Sequence, residues 1–143
     1  MPIEMNWHPE LENVVQWKFH AEWSWSEFAD TFRREKEMVR ELDGARWDII
    51  AEFLDRPTLP SVSGGVNHVL TTVQQGKQLQ MGLLVIVTSN GFIRAMVSIA
   101  AQISPVFRSS CFVCDTAAAA EAVIQKNRTQ TDMKNSPTSV RAS

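Results

Sequence analysis

The side chains that could do chemistry in this sequence are few and scattered. Cys111-Phe112-Val113-Cys114 forms one Cys-x-x-Cys, a spacing shared by redox dithiols and zinc half-sites. In an extended strand, however, residues three apart face opposite sides, and neither a second Cys pair nor a His pattern completes a four-ligand set. The two therefore read as buried free thiols. His8, His20 and His68 follow no metal spacing, and no Ser-His-Asp or paired-carboxylate constellation accompanies them. Asp48 and Glu52 share a strand face at i, i+4 and are expected to meet solvent or a helix-borne cation. This reading assigns no catalytic residue, no metal and no cofactor.

Two turns offer more. Ser61-Val62-Ser63-Gly64-Gly65 and Ser89-Asn90-Gly91 are each expected to leave the carboxyl end of a parallel strand and enter a helix. Ligands of open α/β sheets collect along that edge. The unpaired amides of a helix N-terminus favour a phosphate or carboxylate, and Arg94 or Arg56 would add charge. The candidate ligand-binding residues are thus Ser61, Ser63, Gly64, Gly65, Ser89, Asn90, Gly91 and Arg94. The competing reading makes Ser63 and Asn90 simple helix caps, with the glycines serving only the tight turns.

These turns depend on the elements that flank them. Ile3, Met5 and Trp7, then Val15, Trp17, Phe19 and Ala21, alternate with polar residues, which predicts two half-buried strands in an antiparallel hairpin with the first at the edge. Ser24 followed by Glu27 fits a capping box, and Trp25, Phe28, Ala29, Phe32, Val39 and Leu42 keep to one helical stripe until Asp43-Gly44. Trp47 to Leu54 alternates as a third strand, and a Pro-containing loop leads to a helix ending near Gly76. Met81 to Val87 is nearly all apolar and is expected at the sheet centre. Phe92 to Ile103 predicts a helix closed by Pro105, with a final strand within Val106 to Val113 and a helix from Asp115 to about Gln125. Residues 127–143 are polar and aperiodic, and are expected to form a mobile tail beyond a domain spanning 1–126. The alternation implies an α/β fold: a mixed, mostly parallel sheet of about five strands with about four helices.

Two apolar sets exceed what one core contact needs. Phe92, Ile93, Met96, Val97 and Ala100, with Ile99 and Ile103, cover more than half of their helix, as expected for an interface with a second copy or a protein partner. Of the five tryptophans, Trp7, Trp17, Trp25 and Trp47 fall on apolar sides, leaving Trp23 as the one free to be exposed.

Composition narrows the class without naming a chemistry. The chain has 143 residues, 14 Lys+Arg against 16 Asp+Glu, and 44% hydrophobic residues, the balance of a globular domain able to build a core without staples. A net charge of -2 argues against a broad nucleic-acid surface. Met1 to Pro9 lacks the basic and apolar regions of a secretory signal, and the apolar runs fall short of the roughly 20 residues that span a membrane. A cytoplasmic protein without a membrane span is expected.

Trp23-Ser24-Trp25-Ser26-Glu27-Phe28 resembles the Trp-x-Trp-x-Glu-Phe opening of the first helix in SpoIIAA-like proteins, a bacterial branch of the STAS (sulfate transporter and anti-sigma factor antagonist) fold. Arg46 to Phe53, Leu59-Pro60-Ser61, Gly82 to Val87 with Asn90, Phe92, Arg94 and Ala95, and Phe112-Val113 with Asp115-Thr116 are similar to later stretches of that family, so the resemblance covers about residues 1–126. It implies a non-enzymatic regulatory module acting through protein binding, to which the apolar third helix adds the expectation of self-association as a homodimer. The alternative it implies is a binder of a small anionic or lipid-like molecule at the carboxyl edge of the sheet. Related antagonists are switched by phosphorylation of a Ser near the helix after the third strand, a position near which Ser61, Ser63 and Thr58 supply the hydroxyls. The Asp-Ser-Ser-Gly-like context of those switches is missing here.

Overall fold

Alternating apolar residues in the first segments place one face of each strand against helices, and the computed structural model shows how. It describes residues 3–20, 22–54 and 65–135, with side chains described as far as 131. Strands β1 (Ile3–Trp7) and β2 (Val14–Phe19) form the antiparallel hairpin, with Met5 opposite Trp17. Helix α1 (Trp25–Val39), strand β3 (Trp47–Phe53), helix α2 (Gly65–Gln78), strand β4 (Met81–Val87), helices α3 (Gly91–Ile103) and α4 (Pro105–Ser110), strand β5 (Cys111–Cys114) and helix α5 (Ala117–Asn135) follow. The five strands lie in the order β1-β2-β3-β4-β5, with every pair after the hairpin parallel. The α/β class and the mixed sheet are therefore as expected.

Because each parallel strand lies beside its predecessor, every right-handed crossover falls on the same side of the sheet. Helices α1 to α4 share that side: Phe32, Val73, Ile93, Ala100 and Phe107 pack on Val15, Trp17, Ile49 and Ile86. Among the described residues, α5 is the one helix on the opposite side, with Ala120 and Ile124 against Val14, Ile50, Leu83 and Val85.

Four details differ from the sequence expectation. The central strand is β3, with β4 one place nearer the edge, although both β4 faces are covered as its apolar run requires. Residues Pro105–Ser110 are helical rather than part of the last strand. Pro105 stands in the first turn, where its missing amide costs nothing, and the Ser104 hydroxyl accepts from Phe107 N at 3.1 Å. Trp23 is buried, at 4% exposure.

The fourth difference is α5, which continues to Asn135 past the expected boundary at 126. An ion pair anchors this stretch in place of an apolar stripe. Arg128 donates from Nε to Asp48 Oδ2 at 2.9 Å, from Nη1 to the Glu12 carbonyl at 2.6 Å and from Nη2 to the Asn13 carbonyl at 3.0 Å. A tail from 127 is thus corrected as far as 135, and residues 136–143 lie outside the described residues.

Candidate functional site

The carboxyl rim of the sheet comes first, because Glu52 pairs with Val87 and so brings the ends of β3 and β4 together. Ser61, Ser63 and Gly64, with Thr58 and Arg56, lie outside the described residues. Ser89, Asn90, Gly91 and Arg94 stand together where α3 begins. Asn90 Oδ1 accepts from the amides of Phe92 and Ile93 at 2.8 and 3.1 Å, an N-cap that occupies the donors an anion would use. Arg94 donates to the Thr88 carbonyl at 3.2 Å and pairs with Asp115. Asn90 thus caps the helix start, while Arg94 is engaged by Thr88 and Asp115.

Gly65, the remaining rim candidate, is buried at the first turn of α2, where an added Cβ would lie 2.7 Å from Trp25 Cζ2. Its role is close packing. Of the expected interface residues, Ile93, Met96 and Ala100 are buried and Val97 is half-buried, all turned toward the core. Phe92 alone of that set stands outward, accompanied by Ile99, Ile103 and Val106.

Between the sheet and helices α1 to α3 lies an apolar cavity with about 50 Å³ of room. Trp17 and Phe19 of β2, Ala51 of β3 and Ile86 of β4 form its floor, and Trp25 and Met96 are among its helix residues. The helix residues cluster near the starts of α1, α2 and α3, which places much of the cavity beneath the carboxyl rim. No ionisable side chain is among the described residues that line it. Among the described lining residues Thr72 carries the one hydroxyl, and that donates to the His68 carbonyl at 2.9 Å within α2.

Beside this space, ring contacts join Trp17, Phe19, Trp23, Trp25, Phe28 and Phe53, with Phe19 and Phe53 stacked at 4.4 Å. Trp25 also stacks on His68, ring centroids 4.9 Å apart. Beneath α1, Glu35 is fully buried and accepts from Trp17 Nε1 at 2.5 Å. Burial pushes its carboxyl up to about 8, against the smaller lowering by the Trp17 bond. Glu35 went unassigned in the sequence reading, although its spacing from Phe28, Phe32 and Val39 places it on their apolar stripe.

At the other end of the sheet Asp48 is also fully buried, but both of its oxygens are engaged. Oδ1 accepts from Arg46 Nη2 at 2.9 Å and Leu83 N at 2.6 Å, while Oδ2 accepts from Arg128. The expected helix-borne cation is Arg128. An added Cβ at Gly82 would collide with the Arg46 guanidinium and the Asp48 carboxylate, which explains a glycine inside this strand. The arrangement locks α5 to the sheet and leaves no lone pair poised for proton transfer.

Cys111 and Cys114 are free and pack on opposite sheet faces, as their spacing in a strand requires. Burial pushes the Cys111 thiol up to about 12, and burial followed by the Asp115 charge raises Cys114. Neither is an activated nucleophile. No helix among the described residues is long and apolar enough to cross a membrane. No family model, curated protein or solved structure matches this chain.

Proposed function

We propose that the chain is a non-enzymatic binding module that takes a small apolar ligand between its sheet and helices α1 to α3. The observation that carries this reading is the cavity itself, a space whose described lining is apolar and includes no charged group. Such a lining offers dispersion contacts and release from water, but no compensation for a buried charge. The ligand is accordingly uncharged where it enters the fold, which narrows the anionic or lipid-like class expected from sequence to its apolar member.

The cavity is small beside the 150 Å³ engineered voids that hold benzene, so the smallest apolar probes test it first. Xenon titrated into labelled protein is expected to shift methyl resonances of Ile49, Ala51 and Ile86 saturably. Ala51→Leu, which fills the space, is expected to abolish the shift while leaving the fold intact. Absence of a saturable shift, or its persistence in the filled variant, overturns the proposal.

A second reading, self-association, rests on the outer stripe of α3 and α4. Phe92, Ile99, Ile103 and Val106 are each exposed by about half or more. Arg94 is the one charged side chain in Gly91–Ile103, and Asp115 already pairs with it. A charged partner finds little to complement there, whereas the same stripe on a second copy does. Light scattering that gives a dimer, returned to monomer by Ile103→Glu, supports it; a monomer across the concentration range excludes it.

A further inference from the structure

The two edges of the sheet are guarded differently. Strand β1 carries Glu4, exposed and bonded to His20 at 2.6 Å, and a charge on an edge discourages pairing with a further strand. Strand β5, at the other edge, is Cys111-Phe112-Val113-Cys114, without a charge or a proline. The Cys114 carbonyl accepts from Thr88 N at 3.0 Å, so the backbone of Cys114 faces β4, and by alternation that of Phe112 does too. Cys111 and Val113 therefore turn their backbone groups to the open edge. The Cys111 amide is already engaged by the Phe107 carbonyl at the end of α4. Val113 is thus the one residue of β5 that presents both an N–H and a C=O outward.

We infer that β5 pairs antiparallel with β5 of a second copy of this chain, about a two-fold axis at Val113, so that two five-stranded sheets become one. This inference rests on the self-association reading above and specifies its geometry. On the axis, Val113 donates to and accepts from Val113 of the other copy, which satisfies both of its outward groups. The register also keeps sheet parity. Cys111 and Val113 lie on the side of α1 to α4, so Phe112 shares the α5 side with Cys114, and each Phe112 comes to stand opposite Cys114 of the other copy. Phe112, now 41% exposed, gains cover there. On the other side, α3 and α4 form the crossover from β4 to β5, so the exposed Ile99, Ile103 and Val106 flank the same axis. Charge is complementary as well. Antiparallel contact brings the end of one strand that carries the exposed Arg108 toward the end of the other that carries the exposed Asp115. A strand from an unrelated protein would satisfy Val113, but a second copy also supplies the matching apolar stripe and the opposite charge.

The test follows amide hydrogen exchange by NMR in the labelled wild-type chain, across a concentration series whose mass is read by light scattering. Once about nine-tenths of the chains are paired, the Val113 amide is expected to exchange roughly tenfold more slowly, because exchange then proceeds through the monomer. The Phe112 and Cys114 amides, turned to β4, are expected to be protected at every concentration. The register is read separately in Phe112→Cys, at concentrations where this variant is dimeric. Mild oxidation is expected to join the introduced thiol to Cys114 of the other copy, since such a pair stands about 4.5 Å apart at Cα, within disulfide range; peptide mapping identifies the link. A dimer whose Val113 amide exchanges as fast as in the monomer overturns this inference and leaves self-association standing. Dimeric Phe112→Cys protein without that cross-link also overturns it. A wild-type chain that stays monomeric overturns both, and leaves the edge to a strand of another protein. The wild-type exchange decides the matter even where Phe112→Cys does not fold.

Discussion

Replacing Glu35 by Gln tests the most unusual energetic feature of the fold. In the native state the carboxyl is fully buried and titrates at about 8, against an ordinary value of 4.5. The folded pKa is raised, so the native state holds a proton that the unfolded chain releases as pH rises, and stability falls through that window. Each pH unit inside it removes up to about 1.4 kcal/mol. Between pH 5 and pH 8 the loss sums to roughly 3.5 kcal/mol, allowing for partial titration at both ends. Glutamine keeps an acceptor for Trp17 Nε1 and cannot ionise. Urea unfolding followed by tryptophan fluorescence, run on both proteins from pH 5 to pH 8, gives the difference between them. That difference cancels the ordinary carboxylates. The variant is expected to gain on the wild-type chain by roughly 3.5 kcal/mol across the range, whatever their offset at pH 5. A difference that stays flat with pH would mean that Glu35 ionises normally and is not enclosed beneath α1, and the reasoning would fail.

Four further outcomes follow from contacts described above. Arg128→Ala leaves the buried Asp48 with one guanidinium in place of two, and is expected to cost about 3 kcal/mol in urea unfolding. A chain ended after Lys126 should lose at least as much, since it lacks the same anchor. Asn90→Ala removes the cap of α3 and is expected to cost about 1 kcal/mol in the same assay. Iodoacetamide at neutral pH should label the native thiols slowly, Cys111 more slowly than Cys114, with both reacting promptly once the chain is unfolded; peptide mapping by mass spectrometry reads the order.

The elements were readable because their signals are local and periodic. Ser24 accepts from the Glu27 amide at 3.1 Å as the capping pattern requires, and Asp43 takes the left-handed conformation at the end of the 3-10 turn that follows α1. The parity of β2 and β3 correctly divided Trp17 and Ile49 from Val14 and Ile50. What escaped was set by partners distant in sequence. Nothing near Arg128 marks it as the ligand of Asp48, eighty residues away, so its polar surroundings read as a tail. An apolar stripe shows which residues turn inward but not where opposing stripes leave room, so the cavity could not be foreseen. The same limit hid which side of α3 turns inward: Ile93 and Phe92 are neighbours in sequence, yet one is buried in the core and the other faces solvent.

The one-sided placement of the crossovers has a consequence for how the chain matures. Four helices are available to shield one surface of the sheet as each strand is added, whereas Val14, Ile50 and Val85 on the other surface wait for α5. A nascent or truncated chain lacking that last helix would show a greasy plane flanked by the unpaired edge of β5, a template for strand-to-strand aggregation. The ion pair through Arg128 is therefore a closing latch, and its strength governs how rarely the finished protein reopens to that sticky state.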